Sequence, residues 1–313
     1  MSSGGRVARP LLGIGLVLVV GSLFASMDTM IRHAGRLLPV LLLLTGRYLF
    51  QALLMAGWLA LSRRDGFRAV HPRFQVARGL LLLATSAMSF FGLQHMPVPE
   101  FTAINMLHPV LVTLLAAWWL HERIVGLRWL LVAGAFAGAL LVIRPGGGVF
   151  GWAVLFPLGG ACFYAVFQVL TSHLAAHENP ATTHFWTGFV GAAVLVPLLL
   201  ASPQPALQVL GQASPTEWLL LLGIGACGTF GHLLLILALG MAPTATLMPF
   251  IYVQIGAAAL LGWWVFGHLP DRWAWAGMAV IAACGAASAW LNLRAAGARA
   301  RSDSPVAADT LPE

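Results

Sequence analysis

Long apolar runs recur along almost the whole chain, and this feature limits the possible folds more than any other. A helix rises 1.5 Å per residue, so about 20 apolar residues cross roughly 30 Å of hydrocarbon. Ten runs approach or exceed this length, at residues 11–31, 38–60, 76–96, 101–120, 127–143, 150–172, 181–200, 218–239, 246–266 and 273–291. The sequence therefore predicts an all-α polytopic membrane protein with ten transmembrane helices.

Charged residues are too few for a water-soluble surface. Asp, Glu, Lys and Arg form 9% of the 313 residues, against roughly 25% in soluble domains. All 17 basic residues are Arg, which excludes a P-loop and a Schiff-base lysine on this chain. The three cysteines lie in apolar runs without a CxxC spacing, so neither a metal site nor a disulfide is predicted. We expect no cofactor and no nucleic acid partner.

The arginines predict the orientation of the chain in the lipid bilayer. With the N-terminus in the cytoplasm, twelve of them fall at cytoplasmic span ends, counting Arg78, and four fall outside, while Arg47 lies within the second run. Cytoplasmic loops carry the excess of basic residues in membrane proteins. We therefore expect a multi-pass protein of the bacterial inner membrane with both termini cytoplasmic.

The two halves of the chain repeat one pattern. Met96-Pro97 precedes a run that ends Trp118-Trp119-Leu120-His121-Glu122, and Met241-Ala242-Pro243 precedes one that ends Trp263-Trp264 to His268. This predicts two five-span units at residues 1–145 and 146–293, followed by a disordered cytoplasmic tail at 294–313. Five is an odd number, so the copies must be inverted, an arrangement typical of secondary transporters that bind at the membrane midplane.

The residues that carry this pattern resemble a known family. The segments Phe91 to Pro97, His108-Pro109-Val110 to Arg123 and Gly138 to Pro145, with their partners from Ala242 to Gln254 and from Gly262 to Asp271, resemble the EamA repeat of the drug/metabolite transporter superfamily. The likeness is greatest to the branch with riboflavin and S-adenosylmethionine carriers. It implies ten helices, two inverted EamA repeats and a central substrate cavity.

The resemblance also assigns structural roles to individual residues. Arg47, Arg78 and Glu122 match positions where this branch has the same residue types. His268 departs from the pattern, because the second repeat usually has Glu there. We expect Arg78, Glu122 and His268 to be structural, with His268 pairing as a neutral donor or as a cation.

Polar side chains inside several runs are the candidate substrate ligands. Asn105 and His108 are three residues apart and Tyr164 and Gln168 four apart, so each pair shares a helix face. The remaining uncharged candidates are His232, Tyr252, Gln254 and, as a ring that could stack on a planar ligand, Trp186.

Two charged residues leave alternatives open. Asp28 is either a helix-end partner of Arg32, one turn away, or a group that binds substrate or the coupling proton. Arg47 is deep in its run, and a charge there costs around 2.5–3.5 kcal/mol. Its partner is Asp28, a set of carbonyls or an anionic group of the substrate.

These patterns favour a secondary transporter of small organic metabolites, such as an amino acid, a vitamin or a nucleoside-like solute, working by alternating access. Its expected partners are the lipid bilayer, the substrate and a proton as candidate coupling ion, and the expected assembly is a monomer or weak homodimer. The alternatives are an intramembrane enzyme and a channel-like permease. No catalytic residues are predicted.

Overall fold

The computed structural model describes residues 10–62, 66–119, 126–144, 150–174, 178–203, 206–239, 241, 247 and 250–302. Its α-helices in chain order are α1 (Pro10–Ala34), α2 (Val40–Leu61), α3 (Pro72–His95), α4 (Val98–Asn105), α5 (His108–Trp119), α6 (Gly126–Ile143), α7 (Leu155–Leu174), α8 (Pro180–Leu200), α9 (Ala206–Gln212), α10 (Pro215–Leu239), α11 (Val253–Phe266) and α12 (Arg272–Ser302), with a short 3-10 turn at Gly151–Val154. The described residues thus form an all-helical fold, as predicted.

Local sequence signals explain where several helices begin. Proline occupies the first position of α3, α8 and α10, where a missing N–H does not matter and the fixed φ suits a helix. The Asn179 side chain accepts from the backbone N–H groups of Ala181 and Thr182 at the start of α8. Ser214 and Glu217 form a reciprocal capping box before α10, with Ser214 N donating to Glu217 Oε2 at 2.6 Å.

Six helices are long and apolar enough to cross a membrane, and they match the first, second, third, sixth, seventh and eighth predicted spans. The fifth and ninth runs contain the shorter apolar helices 129–143 and 253–266, and the fourth is split between α4 and α5. The count of ten spans stays a prediction. α12 continues to Ser302, past the predicted start of the disordered tail, because the Ala- and Arg-rich stretch after residue 293 has high helix propensity.

The break between α4 and α5 has a specific chemical cause. Pro109 lacks the N–H that would bond to the Asn105 carbonyl four residues earlier. The ring of His108 replaces it, with Nδ1 3.0 Å from Asn105 O. The chain turns at Met106 and Leu107, so a side-chain donor satisfies the carbonyl that the proline leaves open.

When two helices pack together, the corresponding helices of the other half pack together as well. Corresponding helices are α1 and α7, α2 and α8, α3 and α10, the α4–α5 pair and α11, and α6 and α12. α1 packs on α10 as α7 packs on α3; α1 packs on α11 as α7 packs on α4 and α5; and α2 packs on α10 as α8 packs on α3. The contacts are those of a two-repeat fold.

Corresponding helices that touch each other run antiparallel. Along α6, Gly134, Gly138 and Arg144 meet α12 at Cys284, Gly277 and Asp271 in turn, with Arg144 Nη2 2.7 Å from Asp271 Oδ2. The backbones meet at Gly138, where a Cβ would lie 2.9 Å from Gly277 O. Antiparallel contact is the relation that inverted copies predict.

Candidate functional site

One cavity lies between the two halves of the described structure. Side chains from α1, α3 and the α4–α5 pair line it, together with those from the corresponding helices α7, α10 and α11, while α2 contributes Arg47. Its volume is about 70 Å³, enough for a few waters at about 10–15 Å³ each.

Eight of the ten residues predicted to bind substrate or couple ions line this cavity: Asp28, Arg47, Asn105, His108, Tyr164, Gln168, His232 and Gln254. They come from seven helices, and no local sequence pattern links those helices.

Arg47 is 1% exposed and has neutral partners. Its Nη1 donates to Ser86 Oγ at 2.9 Å, and the guanidinium carbon lies 4.6 Å from the centre of the Tyr48 ring. Its Nε has no hydrogen-bond partner in the described structure. Gly228 on α10 makes room for this group, since a Cβ there would lie 2.9 Å from Nε. The guanidinium keeps donor capacity that the protein does not use.

Asp28 is 6% exposed and accepts one long hydrogen bond, from Gln254 Nε2 to Oδ2 at 3.5 Å. The predicted alternative, a helix-end pair with Arg32, does not form. Arg32 Nη1 instead donates to the backbone carbonyls of Leu93, at 2.9 Å, and Met96. Asp28 therefore belongs to the cavity wall.

Aromatic and imidazole rings form a continuous part of the wall. His108 meets Tyr164 edge to face with ring centres 4.7 Å apart, and His232 lies 4.9 Å from the Phe24 ring. Because the His108 Nδ1 must donate to the Asn105 carbonyl, its Nε2 is the nitrogen left for a further partner. The Asn105 Oδ1 atom is buried without a partner.

Trp186 and Tyr252, also predicted as ligands, lie outside the cavity lining. Trp186 Nε1 donates to the Phe67 carbonyl at 2.9 Å, which holds the loop between α2 and α3 against α8. Tyr252 is buried beside Gly285 of α12. Its neighbours Ile251 and Gln254 face the cavity instead.

Of the predicted structural residues, Arg78 differs most from expectation. It is 1% exposed rather than at a span end, and its guanidinium donates to Thr171 Oγ1 at 3.3 Å, to Thr183 O at 2.6 Å and to Thr187 Oγ1. The described part of the chain therefore buries two arginines, Arg47 and Arg78, and the predicted count of cytoplasmic span-end arginines becomes eleven. Hydroxyl and carbonyl groups on neighbouring helices make that burial possible.

His268 binds Glu100 across the two halves, with Nε2 2.9 Å from Oε1. Glu100 is almost fully buried at the first turn of α4. A glutamate at position 268 would face this carboxylate directly. Glu122 lies outside the described residues.

The sequence reasoning missed a row of small hydroxyl residues on α3. Thr85, Ser86 and Ser89 line the cavity, and their spacing of three and four residues in an apolar run was the available signal. It also missed His184, which is buried between α2 and α10. His184 Nε2 lies 3.1 Å from Thr229 O and so must donate, which leaves Nδ1 to accept from Gln51 Nε2 at 3.3 Å.

Comparison with known proteins agrees with this architecture. The sequence profile described as the EamA-like transporter family matches residues 11–144 and again 151–288. A solved crystal structure covers 91% of this chain and 97% of its own, with a TM-score of 0.61 and 20% identity, a likeness that concerns the fold alone.

Curated relatives are transporters of similar length. A riboflavin transporter of Vibrio cholerae is 26% identical over 281 residues, 87% of this chain and 91% of its own. An S-adenosylmethionine uptake transporter of Rickettsia prowazekii is 23% identical over 245 residues, 78% and 81% of the two chains. Since the profile covers most of the sequence in two copies, the chain belongs to the EamA-like transporter family.

Proposed function

We propose that this protein is a secondary carrier that moves a small organic metabolite across the bacterial inner membrane by alternating access. The observation that carries the proposal is the cavity between the two halves, lined by corresponding helices of both. Inverted repeats that rock about a central site expose it to each side in turn. The relatives that act on riboflavin and S-adenosylmethionine support a solute of that general size.

Contacts at the two ends of the helices suit such a motion. At one end, His268 and Glu100 join the loop after α11 to α4. At the other, Glu178 Oε1 accepts from His71 N at 2.8 Å, so the segment before α8 holds the segment before α3.

We also propose that Asp28 carries the coupling proton, because it is the carboxylate of the cavity lining. In proteoliposomes, Asp28→Asn then loses the response to an imposed pH gradient but keeps exchange of substrate between the two sides. Unchanged gradient dependence in Asp28→Asn contradicts this role.

The test of the carrier function is counterflow. Purified protein is reconstituted in liposomes, and labelled riboflavin, S-adenosylmethionine, nucleosides and the twenty amino acids are supplied outside, with or without the unlabelled compound inside. We expect saturable uptake of at least one solute and acceleration by the compound on the opposite side. Protein-free liposomes are the control.

Other outcomes favour the alternatives. Flux that neither saturates nor responds to the opposite side indicates a channel-like permease. Covalent conversion of a solute indicates an intramembrane enzyme. No flux of any compound counts against the carrier.

A further inference from the structure

The two buried charges of the cavity form no direct ion pair. Asp28 of α1 and Arg47 of α2 both line it, yet within the described structure no ion pair of 4.0 Å or less joins them. Each has a neutral protein partner instead, the Gln254 amide for Asp28 and the Ser86 hydroxyl for Arg47. The site therefore presents one unpaired carboxylate and one unpaired guanidinium.

Such an arrangement is costly without a ligand. A charge inside a membrane-spanning helix is costly, and a buried charge normally has an opposite charge or several hydrogen bonds. Arg47 keeps a buried Nε without a partner, and the one hydrogen bond of Asp28 is at the long limit of 3.5 Å. Both groups have unused capacity for a charged partner.

We propose that the substrate of this cavity is a zwitterion, whose carboxylate binds Arg47 and whose ammonium or similar cationic group binds Asp28. This inference rests on the proposed carrier function and deepens it by naming a substrate class. A ligand with both charges satisfies both groups at once, whereas a monoanion requires Asp28 to hold its proton and a monocation leaves Arg47 unpaired. Leaving one member of such a set buried alone costs several kcal/mol.

The rest of the wall suits the body of such a ligand. Phe24, Phe90 and Tyr164 supply aromatic surface, and Asn105 supplies a buried acceptor with no partner. These neutral groups add no third charge. His108 and His232 are the other titratable side chains on the wall besides Tyr164, and one nitrogen of His108 is already committed to the Asn105 carbonyl.

The test compares ligands that differ by one charged group. Thermal stabilisation and competition with counterflow are measured for the twenty amino acids and S-adenosylmethionine, and for riboflavin as a ligand without the charge pair. For the tightest zwitterion, the decarboxylated amine and the deaminated acid are then measured. We expect both single-charge analogues to bind at least tenfold more weakly than the zwitterion.

Two variants assign each charge to its residue. In Asp28→Asn, the zwitterion and the deaminated acid should bind within about threefold of each other, because the partner of the cation is gone. In Arg47→Gln, the zwitterion and the amine should converge in the same way. Asp271→Asn, far from the cavity lining, is the matched control for loss of one carboxylate, and elution as a single peak in detergent checks folding. If Arg47→Gln does not fold, the Asp28→Asn comparison decides.

These measurements distinguish failure of the zwitterion assignment from failure of the carrier function. If riboflavin or a single-charge analogue binds as tightly as any zwitterion, or if Asp28→Asn keeps the full discrimination, the zwitterion assignment is overturned while the carrier function stands. If no compound of the set binds or moves, the carrier function itself fails, and this assignment fails with it.

Discussion

Arg78 and Arg47 are both buried, and their hydrogen-bond partners distinguish a structural cation from a candidate ligand-binding one. Arg78 donates to three oxygens of neighbouring threonines, whereas Arg47 donates to one, the Ser86 hydroxyl. The Nε atoms of both arginines are buried without a partner in the described structure. Equal burial therefore goes with unequal hydrogen bonding, and unused donor capacity points to a ligand.

Asp271 gives a prediction about stability and pH. Its Oδ1 accepts from Ala274 N at 2.9 Å and Trp273 N at 3.0 Å, capping α12. The Ala274 amide, and after it the Arg144 guanidinium, hold the pKa of Asp271 below its usual value. The stabilisation is therefore present above the ordinary Asp pKa and is lost as pH falls through the lowered one. Asp271→Ala should cost about 1 kcal/mol at neutral pH.

Melting temperatures in detergent from pH 7 to pH 3 check this prediction. The gap between wild type and Asp271→Ala should narrow as pH falls, and Asp271→Asn should retain part of the cap at all pH values. A gap that widens in acid contradicts the assignment.

His268→Glu tests the pair across the two halves. The new carboxylate faces the buried Glu100, whose Oε1 is 2.9 Å from the present ring nitrogen. Loss of a buried partner costs about 1–3 kcal/mol, so the melting temperature should fall. Adding Glu100→Gln should recover part of the loss, because one of the two charges disappears. Equal melting temperatures for all three proteins show that the pair contributes nothing.

At the scale of helices, proline and glycine decide where chains bend and how closely they approach. Pro109 divides the predicted fourth span and transfers a hydrogen bond to the His108 ring. Gly138 and Gly277 let the backbones of α6 and α12 touch. The break at Pro109 lies in the wall of the cavity, and the glycine contact joins the last helices of the two halves.

Gly277→Leu should therefore destabilise the protein strongly. A Cβ there would lie 2.5 Å from Gly138 O and 3.1 Å from Val142 N, which are backbone atoms that cannot rotate away. Overpacking costs typically 1–3 kcal/mol and occasionally more. The matched control is Gly57→Leu, where the added Cβ meets nothing within 4 Å. Melting temperature and the monodisperse fraction on size exclusion measure the difference, and equal losses in both variants contradict the close contact.

At the scale of the whole molecule, corresponding helices of the two halves line the cavity, and α2 is the exception to this symmetry. Three corresponding pairs of helices line the space, but α2 supplies Arg47 while no described residue of α8 lines it. The corresponding region of α8 instead carries His184, tied to Gln51 and Thr229. The cavity thus has a cationic side chain from the first half without a counterpart among the described residues of the second.

The arginine distribution predicts the topology of the whole chain. With Arg78 removed from the count, eleven arginines still favour the cytoplasmic side over four, so both termini should be cytoplasmic. A fluorescent protein fused to the C-terminus should fluoresce in a bacterial host. Alkaline phosphatase at the same position should be inactive, since its disulfides do not form in the cytoplasm. An active phosphatase fusion places the C-terminus outside the cytoplasm and contradicts the predicted orientation.

The sequence by itself determined the class of fold, the duplicated pattern and most of the polar residues that line the cavity. Apolar run length and the position of a polar residue within a run are local properties of the sequence. The bilayer favours the first and penalises the second, so both can be read directly from the chain. Tertiary structure alone decided which polar groups share a space. Trp186 and Tyr252 look as eligible as Tyr164 in sequence, but helix rotation turns them to a loop and to α12. It also decided that Asp28 and Arg47 face one cavity without pairing, because that relation depends on how α1 and α2 pack and not on their spacing.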